Sequence, residues 1–255
     1  MWRTLRIALL LLILLFVGLN TYFDRVYSTD WNIPLRVAAY PINADGSAEA
    51  EQFIQRLSGD DSYALESFFE REARRYGLAM ERPVRVTLAP QLRDLPPAIE
   101  PGTSMLGVIL WSLRARYWSW RVPNAQGPAP DIKLYVLHHG PRSSSLPHST
   151  GLQKGLFGIV NVFADRTMMG SNDVIIAHEL LHTLGATDKY DLATNQPLQP
   201  DGYAEPDREP LYPQTRAELM GGRIPLSADR AITPESLRKV LVGATTAAEI
   251  GWSRR

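Results

Sequence analysis

Eleven consecutive residues carry the most chemistry in this chain: His178-Glu179-Leu180-Leu181-His182-Thr183-Leu184-Gly185-Ala186-Thr187-Asp188. On a helix, His178 and His182 stand one turn apart on the same face, so one cation can touch both imidazoles. Glu179, about 100° further round, can reach a water on that cation without ligating it. Gly185 supplies a residue free to take positive φ where the helix must stop and turn back. Asp188 then arrives from the loop as an oxygen donor, with Asp191 as its one close competitor. An H-E-x-x-H string alone arises by chance in roughly one such sequence in 200, but adding the glycine and the carboxylate lowers this to roughly one in 40,000. The run is therefore read as a site.

Three protein ligands leave a tetrahedral Zn2+ one open position for water, which separates a catalytic site from a closed structural one. The expected reaction is peptide-bond hydrolysis, with the metal acidifying a water toward a pKa of about 7 and Glu179 taking its proton. At this point the chain resembles the metzincin zinc peptidases, whose extended signature is H-E-x-x-H-x-x-G-x-x-H followed by a Met-turn. Here Asp188 stands at the third ligand position, a variant similar to the short snapalysin-type form. The resemblance covers Ala177 to Asp191 closely. It implies His178, His182 and Asp188 as ligands of one Zn2+ ion, Glu179 as general base, a protein or peptide substrate, and Met220 in Leu219-Met220-Gly221-Gly222 as the Met-turn residue. It also implies a twisted mixed sheet with an antiparallel edge strand along the cleft. Some metzincins place a Tyr two residues after the Met. This chain has Gly222 there, so a transition-state donor must be Tyr190, Tyr203 or Tyr212, or there is none. An aspartate in place of a neutral His makes the site more anionic and the metal a weaker Lewis acid, which fits a slow or selective enzyme.

The elements that must position these residues follow from pattern. Short β-rich or apolar runs predict strands at Leu35–Tyr40, Val84–Leu88, Ile132–Leu137 and Gly158–Ala164. Apolar residues three and four apart predict helices over Ala48–Leu57 and Tyr63–Tyr76, and Met105–Trp120 reads as another. The edge strand is expected at Gly158–Ala164 or within Gly151–Phe157. Ser171-Asn172-Asp173 can cap the site helix, read as Val174–Leu184. Beyond the site, a Pro-rich loop from Tyr190 to Pro225 is too long for an idle connection and is expected to form the far wall of a cleft. Thr233-Pro234-Glu235 reads as the start of a helix running to Val242, and Thr246 with Glu249 as a capping box for a last short one. The fold class is α/β (α+β): a metzincin-like twisted mixed sheet with an active-site helix and a helical C-terminal subdomain, preceded by one transmembrane helix.

That last expectation rests on the first thirty residues. Ile7–Leu19 is an unbroken apolar run, and the uncharged stretch spans the 17 residues between Arg6 and Asp24. At about 1.5 Å per residue this reaches roughly 25 Å, usable as a short span with Trp2, Tyr22 and Phe23 at the interfaces. Arg3 and Arg6 orient the N-terminus inward, placing one domain, residues 31–255, outside the cytoplasmic membrane. A cleaved signal peptide competes, but its best site, Val26-Tyr27-Ser28, is poor.

Composition excludes other classes. The 255 residues carry 27 Lys+Arg against 27 Asp+Glu and no Cys. A balanced charge gives no footprint for nucleic acid, and the absence of Cys removes disulfides, thiolate metal sites, thiol nucleophiles and a cysteine switch. Remaining candidates have plainer readings. His138 and His139 read as surface or loop histidines, and His148 as part of a Ser-rich loop. Trp111, Tyr117, Trp118 and Trp120 read as helix packing, Met220 alternatively as core filling, and Asp191, Asp201, Asp207 and Glu209 as a solvated acidic loop rather than a calcium site. Two rival functions stand beside the metzincin reading. One is a gluzincin-type hydrolase whose third ligand is Glu205, Glu209 or Glu218. The other is an exported binding or scaffold protein whose metal is structural or whose motif is vestigial.

Overall fold

The computed structural model describes residues 6–7, 30–99, 102–124, 127–141, 146–147, 149–152 and 156–253. The expected anchor over residues 1–30 lies, save Arg6, Ile7 and Asp30, outside them, as does His148. Among the described residues no helix is long and apolar enough to cross a membrane.

A five-stranded mixed sheet runs in the order β2-β1-β3-β5-β4, built from β1 (Leu35–Asn43), β2 (Val84–Leu88), β3 (Ile132–His139), β4 (Thr150–Leu152) and β5 (Phe157–Phe163). The first four in this order are parallel and β4 alone is antiparallel, pairing Gly151 with Gly158. The expected edge strand is therefore β4, and the Gly158–Ala164 run is its inner neighbour. Parallel strands need crossover helices. These are α1 (Ala48–Gln55) and α2 (Tyr63–Arg75) between β1 and β2, and α3 (Met105–Arg121) between β2 and β3. Ser47 opens α1 by accepting the Ala50 N–H, and Ser104 opens α3 by accepting that of Gly107.

Alternation along β1 sends its side chains to two cores. On one face Leu35 and Val37 join Phe68 and Phe69 of α2 and Ala177, Leu180 and Leu181 of α4 (Met169–Thr183). On the other, Ala38, Tyr40 and Ile42 meet Trp111 and Ala115 of α3. Leu180 and Leu181 are fully buried, each worth about 1.5–3 kcal/mol of transfer free energy.

Helix α4 begins earlier than its sequence suggests. Asp165 accepts the Thr167 N–H and starts a 3-10 turn, Arg166–Met168, that runs straight into α4. Ser171-Asn172-Asp173 consequently lies inside the helix and caps nothing. Asn172 instead exchanges two hydrogen bonds with the Phe163 backbone, pinning the helix to the end of β5.

The C-terminal region is less helical than expected. Among the described residues its one α-helix is α5 (Ala244–Glu249). The rest is 3-10 turns and the two-residue strands β6 (Ala217–Glu218), β7 (Ile224–Pro225), β8 (Ala231–Ile232) and β9 (Val240–Leu241). The helix expected from Thr233 is absent because Ser236 is extended and Val240-Leu241 pairs in parallel with Ala217-Glu218. Arg71 of α2 donates to the Leu237 and Val240 carbonyls, and buried Glu72 accepts the Val242 N–H. Thr246 and Glu249 are not a capping box, since both side chains reach out to other segments.

Beneath α1 and α2 a half-open, mostly apolar cavity of about 90 Å3 is lined by Phe53, Leu65, Val136, Val162, His138 and Asp173, among others. His138 is no surface residue: it is 5% exposed, and its ring lies 5.2 Å from that of Phe53. Burial there pushes its pKa down to about 4. Asp173 moves the other way, to about 7, through burial and the nearby Asp61 charge. A carboxyl whose folded pKa is raised binds its proton more tightly when folded, so its contribution is lost as pH rises from about 4 to 7. Asp173→Asn removes that loss. Urea titration should find the variant more stable than wild type at pH 8, by up to about 4 kcal/mol, with the gain shrinking toward pH 4. A gain independent of pH would refute a titrating Asp173.

Candidate metal centre

The site is assembled where α4 stops. Leu184 is the C-cap and Gly185 follows with φ 101°. The Ala186 N–H then donates to Leu181 O and that of Gly185 to His182 O, which is the paired bonding of a Schellman turn. The same turn aims the second histidine, because Ala186 O lies 2.9 Å from His182 Nδ1. His178 Nδ1 meets Leu219 O, also at 2.9 Å. Carbonyls only accept, so each Nδ1 carries the proton and each Nε2 is left as an acceptor.

Those two Nε2 atoms lie 3.0 Å apart, and Asp188 Oδ1 is 3.1 Å from each. A point about 2.0–2.1 Å from all three, the range of zinc–nitrogen and zinc–oxygen contacts, exists about 1 Å off their plane. The donor set thus fits a small divalent cation bound through one face. Glu179 is 5% exposed. His178, Glu179 and His182 form a group that could hold a metal ion, with one donor atom from each lying within 4.8 Å of the others. Among the described residues no such cluster of three or more His, Cys, Asp or Glu lies elsewhere in the fold.

The electrostatics agree. Burial works against a charged His178, but its hydrogen bond to Asp188 and the Glu179 charge outweigh it, so the ring titrates above its ordinary value. Burial likewise opposes ionisation of Asp188, yet both imidazoles hold its carboxyl far below the usual carboxylate range. Three acceptors this close attract a positive charge, whether proton or metal ion.

The other expected residues separate clearly. Tyr190 lies at the site: its ring centroid is 6.2 Å from that of His178, and burial with the Asp188 and Glu179 charges pushes its hydroxyl up to about 12. Tyr203 and Tyr212 instead share a 2.7 Å hydroxyl contact, and neither lines the cleft. Met220 is fully buried in the main core, in a 3-10 turn, Leu219–Gly221, that supplies the carbonyl for His178. Asp191 is turned away to cap Ala193 and Thr194. Glu205 is held by Thr215, and Glu218 by Gly221, Gly243 and Thr246, so neither is directed to the imidazoles. Glu209 is exposed.

A cleft of about 490 Å3 opens over the centre. His178, Glu179, Tyr190, Asn195 and Arg223 contribute to its lining, so the loop after Tyr190 does supply one wall. Opposite runs β4. A Cβ at Gly151 would sit 2.5 Å from His182 Cβ and 2.6 Å from Glu179 O, so this edge strand passes against α4 only because residue 151 is glycine. Neither the family models nor the curated proteins compared with the chain match it.

Two supports were not legible in sequence. Lys189 and Glu249, both largely buried, pair at 2.8 Å, and the Glu249 carboxylate also takes the Thr187 N–H and hydroxyl. Glu249 thereby clamps both neighbours of Asp188. Removing such a support typically lowers metal affinity about 10–100-fold. Glu249→Ala should do so in a zinc competition titration against a chromophoric chelator, and unchanged affinity would show that the loop holds Asp188 unaided.

Proposed function

We propose that the protein is a zinc-dependent endopeptidase of metzincin-like organisation. The observation that carries this reading is the triangle of His178 Nε2, His182 Nε2 and Asp188 Oδ1, with buried Glu179 beside it and a cleft above. His178, His182 and Asp188 would hold the ion. When bound, zinc supplies a Lewis acid for the scissile carbonyl and lowers the pKa of a water toward about 7.

The chain's own groups then have separable tasks. Glu179 accepts the proton of the attacking water at its carboxylate and returns it to the leaving amine, the usual work of a general base turned acid. Its position, adjacent in sequence to a ligand but a third of a turn away, keeps it near the water without filling the open position. Tyr190, whose hydroxyl stays protonated and bonds Asp188, would turn that hydrogen bond to the developing oxyanion. The edge strand β4 offers backbone groups along which an extended peptide can align. The turn at Leu219–Gly221 would serve as the Met-turn. Export and tethering through the apolar run Ile7–Leu19 belong to the same proposal.

A purely structural metal gains nothing from a buried glutamate beside an open face, which favours the enzyme reading over a scaffold. Glu179→Gln should keep about one zinc per chain by elemental analysis while hydrolysis of a casein or peptide-library substrate falls at least about 100-fold. Asp188→Ala should lose the metal and the activity together. Full activity in the Glu179 variant would overturn the mechanism, and zinc retained at wild-type affinity without Asp188 would overturn the ligand set.

A further inference from the structure

Helix α3 presents two apolar faces, and among the described residues only one is covered. Trp111, Ala115 and Ser119 are buried against the sheet, and Trp118 packs on Tyr135 with centroids 4.5 Å apart. At 100° per residue the opposite side gathers Leu106, Ile109, Leu110, Leu113, Tyr117 and Trp120 within about a 100° stripe. These six are 66%, 51%, 49%, 58%, 60% and 78% exposed. The aromatic set read as helix packing therefore divides, with Trp111 and Trp118 packed inward and Tyr117 and Trp120 stacked on each other outside. A stripe of this kind marks an interaction surface.

Its borders are cationic. Arg114 and Arg121 flank the stripe on one side and Arg116 on the other, and the helix carries no acid along its 17 residues. The groove at its C-terminal end is lined by Arg93, which pairs with Glu51 at 3.4 Å, and by one acid, Asp94. Charge complementarity selects the occupant. A second copy docking helix to helix would oppose arginines to arginines. The chain's own apolar run, Ile7–Leu19, contains no carboxylate to meet them. An anionic phospholipid surface offers acyl chains to the leucines, phosphates to the arginines, and the interfacial zone that Trp and Tyr favour.

We propose that α3 is an interfacial helix that lies in an anionic membrane surface, apolar stripe inward. The inference does not depend on the metal centre. Because α3 and α4 pack on opposite faces of the sheet, a body docked through α3 holds the site helix on the side away from the lipid.

The absence of cysteine allows a clean test with the full chain. Leu113→Cys carries an environment-sensitive fluorophore, and Ala64→Cys on α2 carries the same label as the control. In vesicles of phosphatidylcholine with roughly 30 mol % phosphatidylglycerol, the label at 113 should shift blue. Lipid-chain nitroxides should quench it at least about twofold more than in phosphatidylcholine alone, while the label at 64 stays in water. Charge reversal at Arg114 and Arg121 should abolish the dependence on anionic lipid. A label at 113 that stays in water, or is quenched equally by neutral vesicles, overturns the proposal. So does shielding without lipid: if it grows with protein concentration the occupant is a second copy, and if it does not, the occupant is the chain's own N-terminal segment.

Discussion

Three hydrogen-bond acceptors held within 3.1 Å of one another are an unstable arrangement unless something positive sits among them. His178 Nε2, His182 Nε2 and Asp188 Oδ1 are so held, and much of the surrounding structure keeps them from relaxing apart. Each imidazole is fixed at its far nitrogen by a backbone carbonyl, Leu219 O or Ala186 O. Rotating either ring outward would leave a carbonyl unsatisfied in a largely buried place, costing about 1–3 kcal/mol. The lone pairs are thereby pre-aimed, and a cation that binds finds its ligands already ordered.

The carbonyls in turn need anchors, and the chain supplies them with buried charges outside the motif. Glu218 is fully buried, and although burial pushes its pKa up, it accepts from Gly221 N, Gly243 N and Thr246 Oγ1. That one side chain ties the turn carrying Leu219 to the start of α5. Met220 O accepts the Lys189 N–H, joining the same turn to the Asp188 loop, and Glu249 of α5 closes the circuit from the other side. Trp31 adds a last tie, donating to Ile250 O and meeting Trp252 edge-on. The C-terminal residues are thus the frame of the site, although little about them looks functional.

This division explains what the sequence could and could not reveal. The site helix, the positive φ at Gly185 and the approach of Asp188 follow from local geometry, so spacing within eleven residues was enough. The mixed sheet was legible because β-rich runs alternate with helical periodicity. The C-terminal region was not, because its order comes from distant partners: Thr233-Pro234-Glu235 has a good helix start, but the carbonyls beyond it are claimed by Arg71 and the Val240–Leu241 segment by β6. Likewise Thr246 and Glu249 have capping-box spacing, yet each side chain finds a partner more than twenty residues away. His138 misled for a similar reason, since a histidine near a strand end gives no sign that Phe53 will cover it. Gly151 was equally silent, for its requirement is set by α4 passing at van der Waals distance.

The two most apolar helices show the same limit from the other direction. Both α3 and α4 are apolar almost all round, a composition that ordinarily means burial on every side. For α4 this holds for the most part: the sheet and the Leu219 turn cover Val174, Ala177, Leu180 and Leu181, and the two imidazoles are part-exposed. For α3 the described residues provide one partner face. The difference lies in what each helix carries among its apolar residues. In the C-terminal half of α4 the titratable residues are His178, Glu179 and His182, grouped where they meet one another. In α3 the charged residues are three arginines along the borders of an outward stripe. A buried helix cannot tolerate cations so placed, so their position argues that the stripe faces a phosphate-bearing boundary and not a missing piece of protein interior.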